Sequence, residues 1–190
     1  MRKIAVFAFL LCLAAATTYA DTIDQNQPSH SIYMAGLYQS GLAQSFQQSS
    51  GYISGAGIFL FPGIGTTGNV VISLYDALPN NSGHLMASGT ALGTQGNWVD
   101  VFWTPVSVTS GASLYLVLSG NISLGLAGEV NDPYPNGQVY ANGFNGGGFT
   151  DFDFAFRTYT ASSPVPEPAA MLLLGSGLIG LFVYGRKRLF

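Results

Sequence analysis

The residues of this chain that could do chemistry are few and mostly acidic. Asp151 and Asp153 stand two apart, a spacing that puts both carboxyls on one side of a strand. Glu129 and Asp132 lie a short distance upstream. Paired acids at this kind of spacing serve two chemistries. Glycoside hydrolysis needs two carboxyls about 5–10 Å apart across a sugar. A structural Ca²⁺ needs about six to eight oxygen ligands, for which Asp151 and Asp153 are the weak candidates. Neither pair sits in a recognisable catalytic context, and Asn131-Asp132-Pro133 reads as an Asx-turn. Surface acids and turn formers are the simpler account.

Other catalytic groups are scarcer. His30 and His84 have no second His or carboxylate at metal-ligand spacing, so both read as exposed polar side chains. No G-x-S-x-G elbow, H-E-x-x-H helix, Walker loop or dinucleotide-binding fingerprint occurs. The one cysteine, Cys12, lies in the N-terminal apolar leader, which leaves the remainder without thiol or disulfide. The expectation is a protein that is not an enzyme and needs no cofactor. Aromatic side chains offer a different chemistry, because rings stack on the apolar faces of sugars while nearby polar groups bond the hydroxyls. Trp98, Asp132, Tyr134 and Tyr140 are the candidate ligand-binding residues on that reading. The competing reading is that aromatics at alternating positions are core or cross-strand pairs.

Those side chains must be positioned by strands. The chain is 48% hydrophobic, only 8% charged, and rich in glycine and aromatics, which points to an all-β extracellular module. Residues 42–160 contain short alternating runs bounded by Gly, Asn, Ser or Pro, at about ten-residue spacing. Strands are predicted at Leu42–Phe46, Ile53–Phe61, Asn69–Tyr75, His84–Thr90, Trp98–Trp103, Leu114–Leu118, Ser123–Ala127, Gln138–Tyr140 and Asp153–Thr160. Val70, Ile72 and Leu74 share one face, as do Val99, Val101 and Trp103, which leaves Trp98, Asp100 and Phe102 on the opposite side. Pro79-Asn80-Asn81-Ser82-Gly83, Thr109-Ser110-Gly111 and Asn142-Gly143 are turn sequences, and 142–149 is a Gly-rich loop. Residues 21–41 are polar and weakly patterned, a lead-in with at most one strand. The fold class is all-β, a jelly-roll-like β-sandwich.

Charge placement excludes one class of partner. Between residues 21 and 163 there are eight acids and one cation, Arg157, so this stretch is near −7. Nucleic-acid binding requires clustered cations, and none are present there. The other cations bracket the chain. Arg2-Lys3, an apolar run and Thr18-Tyr19-Ala20 form a signal peptide over 1–20, cleaved between Ala20 and Asp21.

At the other end, a linker over 161–168 closes with Val165, Pro166, Glu167 and Pro168, whose two prolines hold it extended and accessible. Residues 169–185 form an apolar helix: 18 residues from Pro168 span about 27 Å, close to a hydrocarbon core of about 30 Å. Arg186, Lys187 and Arg188, in the tail 186–190, act as a stop and hold the C-terminus in the cytoplasm, so the inner membrane is the expected partner. Physics alone leaves open whether this segment is a permanent anchor or a removable tag.

Two resemblances bear on that choice. The phrases Gln44-Ser45-Phe46, Ile72-Ser73-Leu74-Tyr75-Asp76, Trp98-Val99-Asp100-Val101 and Asp153-Phe154-Ala155-Phe156-Arg157 resemble a family of bacterial surface jelly-roll modules of choice-of-anchor type. Residues 165–188, with Pro-Glu-Pro, apolar helix and basic cluster in order, resemble the PEP-CTERM sorting signal of Gram-negative bacteria. The second implies an exosortase as processing partner, with a cut near Pro-Glu-Pro. It also implies display at the surface or in the matrix, in association with exopolysaccharide or biofilm. The alternatives are a carbohydrate-binding module and a glycoside hydrolase.

Overall fold

The computed structural model describes residues 21–144 and 148–161. The signal peptide, Pro166-Glu167-Pro168, the apolar helix and Arg186–Arg188 lie outside the described residues. Among the described residues twelve strands follow one another: β1 (Asp21–Gln27), β2 (Ile32–Gly36), β3 (Leu42–Gln47), β4 (Tyr52–Phe59), β5 (Thr67–Tyr75) and β6 (Leu85–Thr94). Then come β7 (Trp98–Ser107), β8 (Ser113–Gly120), β9 (Gly125–Val130), β10 (Val139–Tyr140), β11 (Phe152–Phe154) and β12 (Phe156–Ala161). They form a four-stranded sheet in the order β1-β12-β4-β7, a five-stranded sheet β10-β3-β8-β5-β6, and a three-stranded sheet β11-β9-β2. All pairings are antiparallel. Among the described residues the one helical element is the single 3-10 turn Pro79–Asn81. None is long and apolar enough to cross a membrane.

The period of two explains which faces meet. On β5, Val70, Ile72 and Leu74 are fully buried while Val71, Ser73 and Tyr75 are half-buried. Leu114, Leu116 and Leu118 repeat the pattern on β8. These side chains of the five-stranded sheet share one core with Ile53, Ala56, Ile58, Val99, Val101 and Phe156 of the four-stranded sheet. Two larger sheets facing across a common apolar core make the arrangement of a β-sandwich. The three-stranded sheet adds Ala35, Leu126 and Phe154 to the same core. Asn142 and Gly143, predicted as a turn, both have positive φ (56° and 70°), the conformation that Asn and Gly accept most readily.

Two expectations are corrected. The lead-in 21–41 contains two strands rather than at most one, and they belong to different sheets. β1 is an edge strand: its polar sequence carries no alternation because backbone pairing with β12 and side-chain bonds hold it. The Asp24 carboxylate, for instance, accepts the Ser49 N–H at 2.7 Å. The strand predicted over Asp153–Thr160 is two strands, broken at the wholly buried Ala155, where the chain passes from the three-stranded to the four-stranded sheet. The Ala155 N–H bonds Ala127 O and its carbonyl accepts Phe59 N–H, so the crossing leaves no backbone group unpaired.

Candidate functional site

The outer face of the four-stranded sheet brings together several chemically capable groups, most of them partly exposed. Its register sets them in rows. Asp100 on β7, Gly57 on β4 and Arg157 on β12 are cross-strand neighbours, and Phe102, Gly55, Tyr159 and Ile23 form the next row. On the other side Phe59 faces Trp98. A Cβ at Gly57 would run into the Asp100 carboxyl. The glycine therefore lets Asp100 and Arg157 meet over the top of β4, although their strands are not adjacent.

The contact between them is bidentate. Arg157 Nε donates to Asp100 Oδ1 at 2.7 Å and Nη2 donates to Oδ2. Tyr159 adds its O–H to Oδ1 at 2.8 Å. The guanidinium also lies over the Trp98 ring, 4.3 Å from its centroid, and 5.7 Å from that of Tyr159. Rings continue the strip in both directions: His30 stacks on Phe59 at 3.9 Å, Phe59 meets Trp98 edge-on at 5.6 Å, and Phe102 meets Tyr159 at 4.9 Å. The bond to Asp100 raises the Arg157 pKa further, while burial and then the bond to Asp100 hold the Tyr159 phenol well above its ordinary value. Phe102 is 53% exposed and Ile23 49%.

A second acid-centred network is internal. Asp153 has no exposure at all. Its Oδ1 accepts Gln44 Nε2 at 2.7 Å and its Oδ2 accepts the Tyr134 N–H at 3.0 Å. Gln44 Oε1 in turn accepts the Phe154 N–H at 2.8 Å, so one amide ties β3 to β11. Burial pushes the Asp153 pKa up to about 6; the bonds from Gln44 and Tyr134 oppose the rise, and the nearby Asp132 charge adds to it. Asp132 has positive φ (51°), and its Oδ1 is buried without a hydrogen-bond partner among the described residues.

The predicted ligand residues therefore separate. Trp98 lies on the outer face, with Asp100 and Phe102 beside it as the alternation required. Tyr134 is buried in the main core, its ring against Phe156 at 5.0 Å and its hydroxyl donating to Gln25 Oε1 at 2.7 Å. Tyr140 is buried against Tyr115. Neither ring is available for stacking on a ligand. Asp151 is exposed in a turn while Asp153 is enclosed with both oxygens engaged, so the two carboxyls do not face a common ion or sugar. Among the described residues no three His, Cys, Asp or Glu side chains group as a metal site. His84 pairs with Asp76 at 3.3 Å on the surface, and His30 bonds Pro28 O through Nδ1. Sequence reasoning missed Arg157 and Tyr159 as partners of Asp100. The available signal was that Arg157 is the one cation between residues 21 and 163 and that Asp100 alternates outward.

A cavity of about 300 Å³ opens beside the three-stranded sheet. Met34, Val139, Ala141, Phe149 and Phe152 give it a mainly apolar lining, with Tyr33, Gln39 and Asn142 as its polar members.

Comparison with known proteins bears on the terminal segment. No curated protein and no solved structure matches the chain. Residues 164–188 match the family described as the PEP-CTERM protein-sorting motif. That motif implies an exported protein, held in the membrane before processing by an exosortase-type enzyme and located at the surface afterwards, so the chain is similar in its terminal segment to PEP-CTERM proteins.

Proposed function

We propose that the protein is a non-enzymatic surface or extracellular-matrix component. Its C-terminal segment is a removable address, cut by an exosortase near Pro166-Glu167-Pro168. The single observation that carries this reading is the match over residues 164–188, where Pro-Glu-Pro, an apolar stretch and a basic cluster occur in order. The catalysis belongs to the partner, and this chain is the substrate. Residues 21–161 are the cargo, and their two facing sheets support assignment to the jelly-roll modules of choice-of-anchor type. The separation of Asp151 from Asp153 favours a binding or structural role over hydrolysis. Exopolysaccharide or biofilm matrix is the setting in which such a cargo acts.

The test is to replace Pro166, Glu167 and Pro168 together by alanine in a cell that holds the processing enzyme. The wild-type chain is expected in the surface or medium fraction and the variant in the membrane fraction. Equal release of both would refute a role for the motif in processing.

A further inference from the structure

We propose that the outer face of the four-stranded sheet is a binding platform for a neutral polysaccharide, with Trp98 and Phe102 as stacking rings and Arg157 as hydroxyl-binding group between them. It rests on the exported reading only for where the ligand is met. Trp98 and Phe102 are four residues apart on one strand and on the same face, hence about 13 Å apart. That interval suits an extended chain of several linked rings rather than one small molecule. Gly55 and Gly57 leave the room above β4 that the Phe102 ring and the Asp100–Arg157 pair occupy.

The polar group in the middle has capacity left over. A guanidinium has five N–H donors, and Arg157 gives only Nε and Nη2 to side-chain acceptors among the described residues. Asp100 fixes the plane of that group, so its remaining N–H donors are oriented before a ligand arrives. Hydroxyl oxygens accept from them, while the C–H faces of sugar rings cover Phe102 and the open part of Trp98. Phe102 and Ile23 expose apolar area at the two ends of their row.

Charge selects among occupants. Residues 21–163 carry eight acids and Arg157 as the one cation. A uronate-rich or phosphorylated polymer would approach against that field, and a second copy of this chain would bring the same negative charge. A neutral polyhydroxylated chain meets no such repulsion.

The experiment is affinity electrophoresis of the full chain extracted in mild detergent, through gels containing hydroxyethyl cellulose, galactomannan or dextran, with alginate as the anionic comparator. At least one neutral polymer is expected to retard the protein, and alginate is not. Phe102→Ala is expected to weaken that retardation about tenfold, equivalent to losing one well-placed contact, with cooperative unfolding retained. Trp98→Ala is expected to weaken it at least as much. Lack of retardation by all three neutral polymers, retardation by alginate alone, or unaltered retardation in both variants would overturn the proposal. So would a native gel in which the wild type runs as a dimer and Phe102→Ala as a monomer, because a second copy would then cover the face. The extract is used whether or not the terminal segment has been removed, so a negative result here leaves the sorting reading intact.

Discussion

Two networks in this protein are built on the same plan and end in different places. In each, an aspartate is held by a planar nitrogen group and by a tyrosine. Around Asp153 the partners are the Gln44 amide and the Tyr134 backbone N–H, all enclosed between β3, β11 and the loop before β10. Around Asp100 they are the Arg157 guanidinium and the Tyr159 hydroxyl, with the ion pair about one-fifth to one-quarter exposed. The buried carboxyl has no cation beside it, so desolvation dominates and its pKa rises to about 6. The outer one meets a full positive charge over two aromatic rings. Desolvation with neutral partners makes a structural lock. A charge pair with donors to spare leaves hydrogen-bonding capacity at the surface.

The lock should be the costlier to break. Asp153→Ala leaves Gln44 Nε2 and the Tyr134 N–H in the core without their acceptor. At about 1–3 kcal/mol for each unsatisfied group, a loss of about 4 kcal/mol is expected from urea unfolding. The next effect concerns pH. The Asp153 pKa is raised from about 3.9 unfolded to about 6 folded, so between those values the native state binds more protons than the unfolded one. Stability is therefore full below about pH 4 and falls as pH rises through 6. Two pKa units correspond to about 3 kcal/mol. Asp76 and Glu129, both held below their ordinary values by hydrogen bonds, act in the opposite direction but in more acidic solution. Unfolding midpoints between pH 4.5 and 7.5 avoid that acidic range, and Asp153→Asn is expected to flatten the slope.

The outer network gives smaller numbers. Gly57→Ala places a methyl group where the Asp100 carboxyl lies and is expected to cost about 2 kcal/mol through overpacking. It should also change the emission of Trp98, from which the guanidinium is displaced. Arg157→Lys keeps the charge and loses the fork and the stacking; about 1 kcal/mol or less is expected for a partly exposed pair. If Arg157→Lys proved as damaging as Asp153→Ala, the distinction between lock and surface would fail.

Much of this was legible in the chain. Val70-Val71-Ile72-Ser73-Leu74 and Trp98-Val99-Asp100-Val101-Phe102 state their two faces directly, because a strand with one face in a core must alternate. β1 was not legible, since an edge strand of polar residues satisfies its backbone without an apolar stripe. The break at Ala155 was hidden for the opposite reason: apolar residues continue through it on both sides, while the chain changes sheet. Tyr134 and Tyr140 flank a Pro- and Asn-rich stretch, a context that reads as exposed loop. Burial of a tyrosine depends on a partner for its hydroxyl, and Gln25 is 109 residues away. The pairing of Asp100 with Arg157 spans 57 residues and passes over a glycine, a relation no local pattern reports.

In the function proposed above, residues 21–161 are cargo and residues 164–188 an address read once. Intact-mass analysis of the protein recovered from the cell surface tests it most directly. The expected chain begins at Asp21 and ends near Pro166-Glu167-Pro168, without Met171 through Arg188. A surface protein whose mass still includes Met171 through Arg188 would contradict it and make the segment a permanent anchor.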